Sequence, residues 1–225
     1  MQREFQTSTV RANSAITKVF AWMALALFIT FATAIGFTFL LNVMDPSLYF
    51  GIMIGASILQ FILILVINFT GLLSKKQGVV KVPFILYSLC MGVLMSSIIA
   101  FTEVITIIYA FGATFLCFGT MALIGWFSKA NMNVMSFIAM GLGIGALILS
   151  LVNIFMGSDT IGWIVSFAMF AFILLITAVD VYRIKQTSEL GMMTENLAIF
   201  FAFQIYYDFI YIFIRILAFI ASRRD

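Results

Sequence analysis

The chain has 225 residues, of which 64% are hydrophobic and only 9% are charged, and its formal net charge is +3. Soluble domains carry about 25% charged residues, so this composition excludes an ordinary soluble globule and is typical of a membrane protein. The absence of a basic patch interleaved with aromatic residues argues against nucleic-acid binding. Histidine is absent, which excludes histidine-dependent hydrolases, His-ligated zinc sites and a histidine pH switch.

The order of polar and apolar segments predicts a seven-helix membrane domain over 16–220, between a cytoplasmic N-terminal tail (1–15) and a short C-terminal tail (221–225). Seven apolar runs cover about 18–41, 48–73, 79–101, 104–127, 134–156, 161–185 and 196–220. Each run is long enough to cross a hydrocarbon core of about 30 Å. The short connections predict antiparallel neighbours. The fold class is therefore an all-α integral membrane protein with seven transmembrane helices in a lipid bilayer.

The lysines and arginines of the short loops predict the orientation of the chain in the membrane. One set of loops and helix ends carries nine basic residues: Arg3, Arg11, Lys18, Lys75, Lys76, Lys81, Lys129, Arg183 and Lys185. The opposite loops carry only acidic charges: Asp45, Glu103 and Asp159. The N-terminus is therefore expected in the cytoplasm, and the short tails without a retention signal favour a bacterial plasma membrane. Arg223 and Arg224 would break this rule unless the last helix is re-entrant or shielded from lipid.

Two aspartates interrupt the last two apolar runs: Asp180 and Asp208. An ionisable group in hydrocarbon costs about 2.5–3.5 kcal/mol on insertion scales, so such residues usually face a bundle interior or a water path. A helical hairpin turning near 191–194 would bring both carboxylates to a similar depth. Because two carboxylates in a low dielectric cannot both ionise cheaply, the pair is expected to share a proton. When deprotonated, the same oxygens suit a hard cation such as calcium, so the pair is also the predicted metal site.

Helix seven carries a polar stripe at positions i, i+4, i+7 and i+11, which are Gln204, Asp208, Tyr211 and Arg215. We interpret Gln204, Tyr211 and Arg215 as supporting polar residues of the aspartate site. The alternative is a seam of hydrogen bonds that holds helices together, at about 0.6 kcal/mol per contact. The GLGIG segment at 141–145 lies inside an apolar run and not after a strand, so it predicts close helix packing rather than a nucleotide loop.

Several stretches resemble one membrane protein family. TAVDVYRIK at 177–185 and YYDFIYIF at 206–213 are similar to the last two helices of the Bax inhibitor-1 family. YSLCMGVLMSSI at 87–98 and FGTMALIGWFSK at 118–129 resemble its third and fourth helices, so the likeness covers about residues 15–220. The resemblance implies six helices surrounding a central seventh. It also implies a pH-sensitive calcium leak whose di-aspartyl sensor corresponds to Asp180 and Asp208. Where some family members have a sensor-pairing arginine at the end of helix two, this chain has only Lys75 and Lys76 further along.

The leading hypothesis is therefore a pH-sensitive calcium (cation) leak channel or exchanger, gated by the aspartate pair, with calcium and protons as ligands and neither cofactor nor enzymatic activity. The alternative is a membrane regulator that acts through helix contacts with membrane-protein partners, such as a membrane-bound protease or a cell-death pathway. An intramembrane aspartyl protease is less favoured, because Ile205, Tyr206 and Tyr207 precede Asp208 and the glycine of a GxGD motif is missing.

Overall fold

The computed structural model describes residues 2–41, 43–69, 78–128 and 131–221, without the side chains of 2–13 and 41. Within these residues the chain forms seven α-helices and no strand. They are α1 (Gln2–Leu41), α2 (Pro46–Phe69), α3 (Lys81–Ala100), α4 (Val104–Phe127), α5 (Met132–Met156), α6 (Asp159–Glu189) and α7 (Glu195–Ala221). All seven are long and apolar enough to cross a membrane, which for α1 holds over Ser14–Leu40. The predicted fold class is confirmed.

The helix boundaries follow the apolar runs closely, with differences at the polar ends. The polar residues 2–13, which we assigned to a tail, continue α1 as helix. The second run was expected to reach residue 73. Helix α2 is described as far as Phe69, and 70–77, with Lys75 and Lys76, lie outside the described residues. Helix α7 is continuous over 27 residues, which is the geometry of a spanning helix and not of a re-entrant segment.

Local hydrogen bonds and glycine turns fix the helix ends. Before α2, the Asp45 carboxylate accepts hydrogen bonds from the Ser47 N–H at 2.8 Å and from the Ser47 hydroxyl. These bonds lower the pKa of Asp45. Pro46 opens the helix, where its missing N–H leaves no hydrogen bond unmade. Gly191 has φ 68° in the connection from α6 to α7, so the hairpin turns where the sequence predicted.

The chain divides into two compact units. Unit 1 consists of Met1–Ile108 and Thr187–Tyr206, and unit 2 consists of Tyr109–Gln186 and Tyr207–Asp225. Helix α7 thus contributes its first half to unit 1 and its second half to unit 2. Both predicted aspartates belong to unit 2.

In unit 1, α3 packs against α1 and α2. Gly92 marks the closest approach, because a Cβ added there would lie 2.6 Å from the Thr30 carbonyl oxygen of α1. The Thr30 hydroxyl lies 2.6 Å from the Tyr206 hydroxyl of α7 and 3.1 Å from the Ser88 carbonyl oxygen of α3. Three helices therefore satisfy one another's buried polar groups, around T-shaped ring contacts formed by Phe84, Tyr87, Phe203 and Tyr206.

In unit 2, α4 supports both α6 and α7. Gly125 of α4 lies against the α6 backbone, where an added Cβ would clash with the carbonyl oxygen of Ala178. On α7, the Phe209 ring packs edge-on against Phe111 at 5.7 Å and against Phe118 at 5.5 Å, both on α4. Phe209 directly follows Asp208 in the chain, and Ala178 lies two residues before Asp180. Helix α4 therefore positions the backbone segments that carry the two acids.

The GLGIG segment packs through its central glycine. A Cβ at Gly143 would lie 3.1 Å from the Phe172 ring of α6, so α5 and α6 approach closely here. At Gly141 and Gly145 an added Cβ would meet nothing within 4 Å. The packing interpretation of this segment therefore holds at one of its three glycines.

Burial differs strongly among the helices. In the most apolar 18-residue stretch of α7, 67% is buried, whereas the corresponding share in the other six helices is 17–44%. Large apolar side chains on the other helices are exposed, including Phe28, Phe61, Phe115 and Phe155. An apolar outer surface of this extent suits the acyl chains of a bilayer. The ring of six helices around α7 stays a prediction.

Candidate functional site

Asp208 lies at the midpoint of α7 and is buried, with 4% of its surface exposed. Asp180 of α6 is equally buried, at 3%, and acts on Asp208 as a neighbouring charge. The hairpin therefore brings the two predicted acids into one site. Within the described residues, the Oδ2 atom of Asp208 has no hydrogen-bond partner. An unpaired carboxylate oxygen is costly when buried, so this oxygen is where a bound proton or cation would stabilise the site most.

Thr177 links Asp208 to the backbone of α6. Its buried hydroxyl donates to the Ile173 carbonyl oxygen at 2.7 Å and lies close to the Asp208 carboxyl group. A hydroxyl has a single hydrogen. While Thr177 donates this hydrogen to the Ile173 carbonyl oxygen, it can form a hydrogen bond with Asp208 only as an acceptor. Asp208 must then be protonated and donate. If the hydroxyl turns away from Ile173, it can donate to an ionised Asp208. Thr177 can therefore serve both protonation states.

Arg183 is the cation of the site. Its Nη1 atom lies 3.4 Å from Oδ1 of Asp180, and its Nη2 atom donates to the Ser136 hydroxyl of α5 at 3.1 Å. The Arg183 side chain is 47% exposed, whereas that of Asp180 is only 5% exposed. A guanidinium so open to its surroundings, at this distance, forms a loose ion pair. Arg183 therefore offsets part of the charge of Asp180 without closing the site.

Tyr211 and Arg215 form a separate polar group on the same helix. Arg215 donates to the Tyr211 hydroxyl from Nε at 3.1 Å and from Nη2 at 2.9 Å, and from Nη1 to the Ser166 hydroxyl at 3.4 Å. Gln204 is half-buried, and its side chain makes no hydrogen bond within the described part of the chain. The three residues predicted to support the aspartates thus make no hydrogen bond to them. The seam interpretation fits Tyr211 and Arg215 better.

The oxygen ligands at the pair limit what metal it can hold. Calcium takes about 6–8 oxygen ligands. No cluster of three or more His, Cys, Asp or Glu side chains occurs among the described residues. The two carboxylates and the Thr177 hydroxyl would supply only part of a calcium shell. Water would have to complete the shell.

Sequence reasoning missed four residues of the site: Thr177, Arg183, Ser136 and Gly125. Thr177 and Arg183 lie three residues before and after Asp180, on the same face of α6. That spacing was a usable signal. Ser136 and Gly125 reach the site from α5 and α4, and nothing in their local sequence indicates which helix they meet.

The fold and the site together define a class: a multi-pass helical membrane protein with two acidic residues buried within its spanning helices. The family model described as "Inhibitor of apoptosis-promoting Bax1" matches residues 12–225. The chain therefore belongs to the Bax inhibitor-1 family, as the resemblance of its motifs implied.

Bacterial relatives share most of the chain. An uncharacterized protein of Borreliella burgdorferi is 30% identical over 226 residues, which cover 95% of this chain and 94% of the relative. Inner membrane protein YbhL of Escherichia coli K12 is 31% identical over 181 residues, 76% of this chain and 75% of the relative. An uncharacterized membrane protein of Streptococcus pyogenes serotype M6 is 28% identical over 183 residues, 80% of this chain and 77% of the relative.

Proposed function

We propose that this protein is a pH-sensitive cation leak pathway or exchanger, with calcium as the ion and the Asp180–Asp208 pair as its gate. The observation that carries the proposal is the unpaired, buried Oδ2 atom of Asp208 beside the charge of Asp180. Arg183 offsets only part of this charge, so the two acids cannot both stay ionised without a further positive charge. A shared proton supplies that charge in one state, and a calcium ion supplies it in the other.

Protons and calcium then compete for the same oxygens. When a calcium ion displaces the shared proton, Thr177 turns its hydrogen toward the carboxylate, and the looseness of the Arg183 pair lets Asp180 turn toward the ion. When a proton returns, Asp208 donates to Thr177 and the cation is released. The sign follows from this competition: the calcium concentration that half-saturates the site falls as pH rises. Neither step needs a resident cofactor or a covalent intermediate.

The proposed location is the inner (plasma) membrane of a bacterium, with the N-terminus in the cytoplasm. The name of the YbhL relative supports an inner membrane. The orientation is supported by the charges of the connections: one set of loops and helix ends carries the basic residues, and the opposite loops carry only acidic ones. On this orientation the α6–α7 turn, with Arg183 close to it, lies on the cytoplasmic side.

Calcium uptake by liposomes that contain the purified protein tests the proposal. We expect uptake above that of protein-free liposomes, with a half-saturating calcium concentration that falls by up to tenfold per pH unit while a proton is displaced, since one proton exchanged corresponds to about 1.36 kcal/mol per unit. A calcium-sensitive dye inside the liposomes reports the rate. Uptake equal to that of protein-free liposomes at every pH would favour the regulator hypothesis instead.

A further inference from the structure

A cavity of about 860 Å³ lies in unit 2, where the end of α5, the start of α6 and the end of α7 meet. Its volume is within the range of about 300–1,000 Å³ typical of small-molecule sites, which are mostly apolar with a few well-placed polar groups. The walls are rich in aromatic side chains: Trp163, Phe167, Phe170 and Phe219. The Trp163 ring contacts Phe167 at 6.1 Å and Phe219 at 6.4 Å between centroids. The cavity is therefore suited to a flat, largely apolar body.

Among the described residues that line this cavity, Arg215 is the only cation. Arg215 donates hydrogen bonds from Nε and Nη2 to the Tyr211 hydroxyl, and the Cζ atom of Arg215 lies 5.1 Å from the centre of the Tyr211 ring. A guanidinium has five N–H groups. The contacts to Tyr211 and Ser166 use three, which leaves one N–H on each terminal nitrogen. Within the described residues these two N–H groups have no acceptor, and a guanidinium forms strong charge-assisted hydrogen bonds with a carboxylate.

Among the described residues, no carboxylate forms an ion pair with Arg215. In the described ranges, the ion pairs Lys81–Glu195 and Arg183–Asp180 do not include Arg215. The acidic residue of the cavity lining, Asp159, is exposed in the first turn of α6. It precedes Ser166 by seven residues, or about 10 Å of helix at about 1.5 Å per residue. Asp159 is therefore at the other end of the cavity, where it disfavours a second negative charge on any ligand.

We propose that this cavity binds an amphipathic organic monocarboxylate, whose carboxylate pairs with Arg215 and whose apolar body lies along the aromatic wall. A charged guanidinium within a spanning helix is costly without a partner, so an anion that reaches it gains a charge-assisted hydrogen-bond pair. The same charge repels calcium, so this site is distinct from the aspartate pair. Binding of this ligand depends on the cavity and Arg215 and not on cation transport.

Fluorescence of Trp163 gives a direct test, because the chain has only three tryptophans. In the full-length protein with Trp22→Phe and Trp126→Phe, Trp163 is the remaining reporter. The probe is 4-nitrobenzoate, a quenching monocarboxylate, and its uncharged methyl ester is the matched control. We expect saturable quenching by the acid and at least tenfold weaker binding of it in Arg215→Gln, as for loss of a charged hydrogen bond. Quenching by the ester should be unchanged in that variant, which also shows that the cavity is intact.

Two further variants keep the test decisive. Asp159→Asn removes the opposite charge of the same cavity and should leave binding of the acid equal or tighter. If Arg215→Gln also abolishes quenching by the ester, the cavity is damaged and the Arg215→Lys variant is used instead. Arg215→Lys should keep quenching by the ester and bind the acid more weakly than the parental protein does. Acid and ester binding equally well in the parental protein would overturn the proposal. So would an arginine variant with intact acid binding, or the lack of saturable quenching by 4-nitrobenzoate.

Discussion

Replacing Asp208 by Asn is expected to flatten the dependence of calcium uptake on pH. The amide keeps the shape of the carboxyl group and can still hydrogen-bond with Thr177, but it cannot exchange a proton and carries no charge. Calcium then meets one carboxylate instead of two. Because an interaction with a charged group is worth about 1.5–3 kcal/mol, the half-saturating calcium concentration should rise by about tenfold or more. Uptake into liposomes at a series of pH values measures both effects.

Asp180→Asn should change the same pH transition, because two groups that share a proton titrate as one unit. The double variant should then add little to either single change, as expected for partners in one network. Glu103→Gln is the matched control, since it removes an exposed acid in the α3–α4 connection, outside the spanning helices. Its pH profile should match that of the parental protein. Parental profiles in both aspartate variants would contradict the site assignment.

Gly125→Val is expected to damage both the fold and the site. The added Cβ would overlap the Ala178 carbonyl oxygen, and it would lie 3.0 Å from the Ala178 carbonyl carbon and 3.1 Å from its Cα atom. These are backbone atoms and cannot move as a flexible side chain does, so α4 and α6 must separate. Overpacking of this kind costs about 1–3 kcal/mol or more. A lower midpoint of thermal unfolding in detergent, together with an altered pH profile of calcium uptake, would show the displacement of Thr177 and Asp180.

Gly119→Val is the control for this change. Gly119 lies on the same helix, and an added Cβ there would meet nothing within 4 Å. The substitution therefore alters helix propensity and bulk without a clash, and its thermal midpoint should stay close to the parental value. Equal destabilisation by Gly119→Val and Gly125→Val would mean that valine in α4, and not the contact with Ala178, causes the loss.

The seven helices could be predicted from the sequence because a bilayer demands long apolar runs, and the polar residues between them are few. The ends were less predictable, as α1 and α6 show. Helix α1 continues through polar residues 2–13, and α6 continues to Glu189 beyond its apolar run. Helical hydrogen bonds do not need apolar side chains, so hydropathy marks the membrane-spanning part of a helix and not its full length.

The aspartate pair could also be predicted, because its signal is local: two acids in apolar runs on either side of one turn. The surroundings of the pair could not be predicted in the same way. Gly125 meets Ala178, and Ser136 meets Arg183, across more than 40 residues of sequence in both cases. Such contacts depend on how helices pack. Helix packing also determines which hydrogen bonds the polar stripe makes. Arg215 donates to Tyr211 and Ser166 and not to Asp208.

Infrared difference spectroscopy of the reconstituted protein, with and without calcium, tests most directly whether calcium displaces a shared proton from the aspartate pair. A protonated carboxyl group gives a C=O stretching band that an ionised carboxylate lacks. We predict such a band without calcium, its loss on addition of calcium, and its absence from the calcium difference spectra of both Asp180→Asn and Asp208→Asn. A band that persists in saturating calcium, or a calcium-sensitive band that survives in the double variant, would contradict the account.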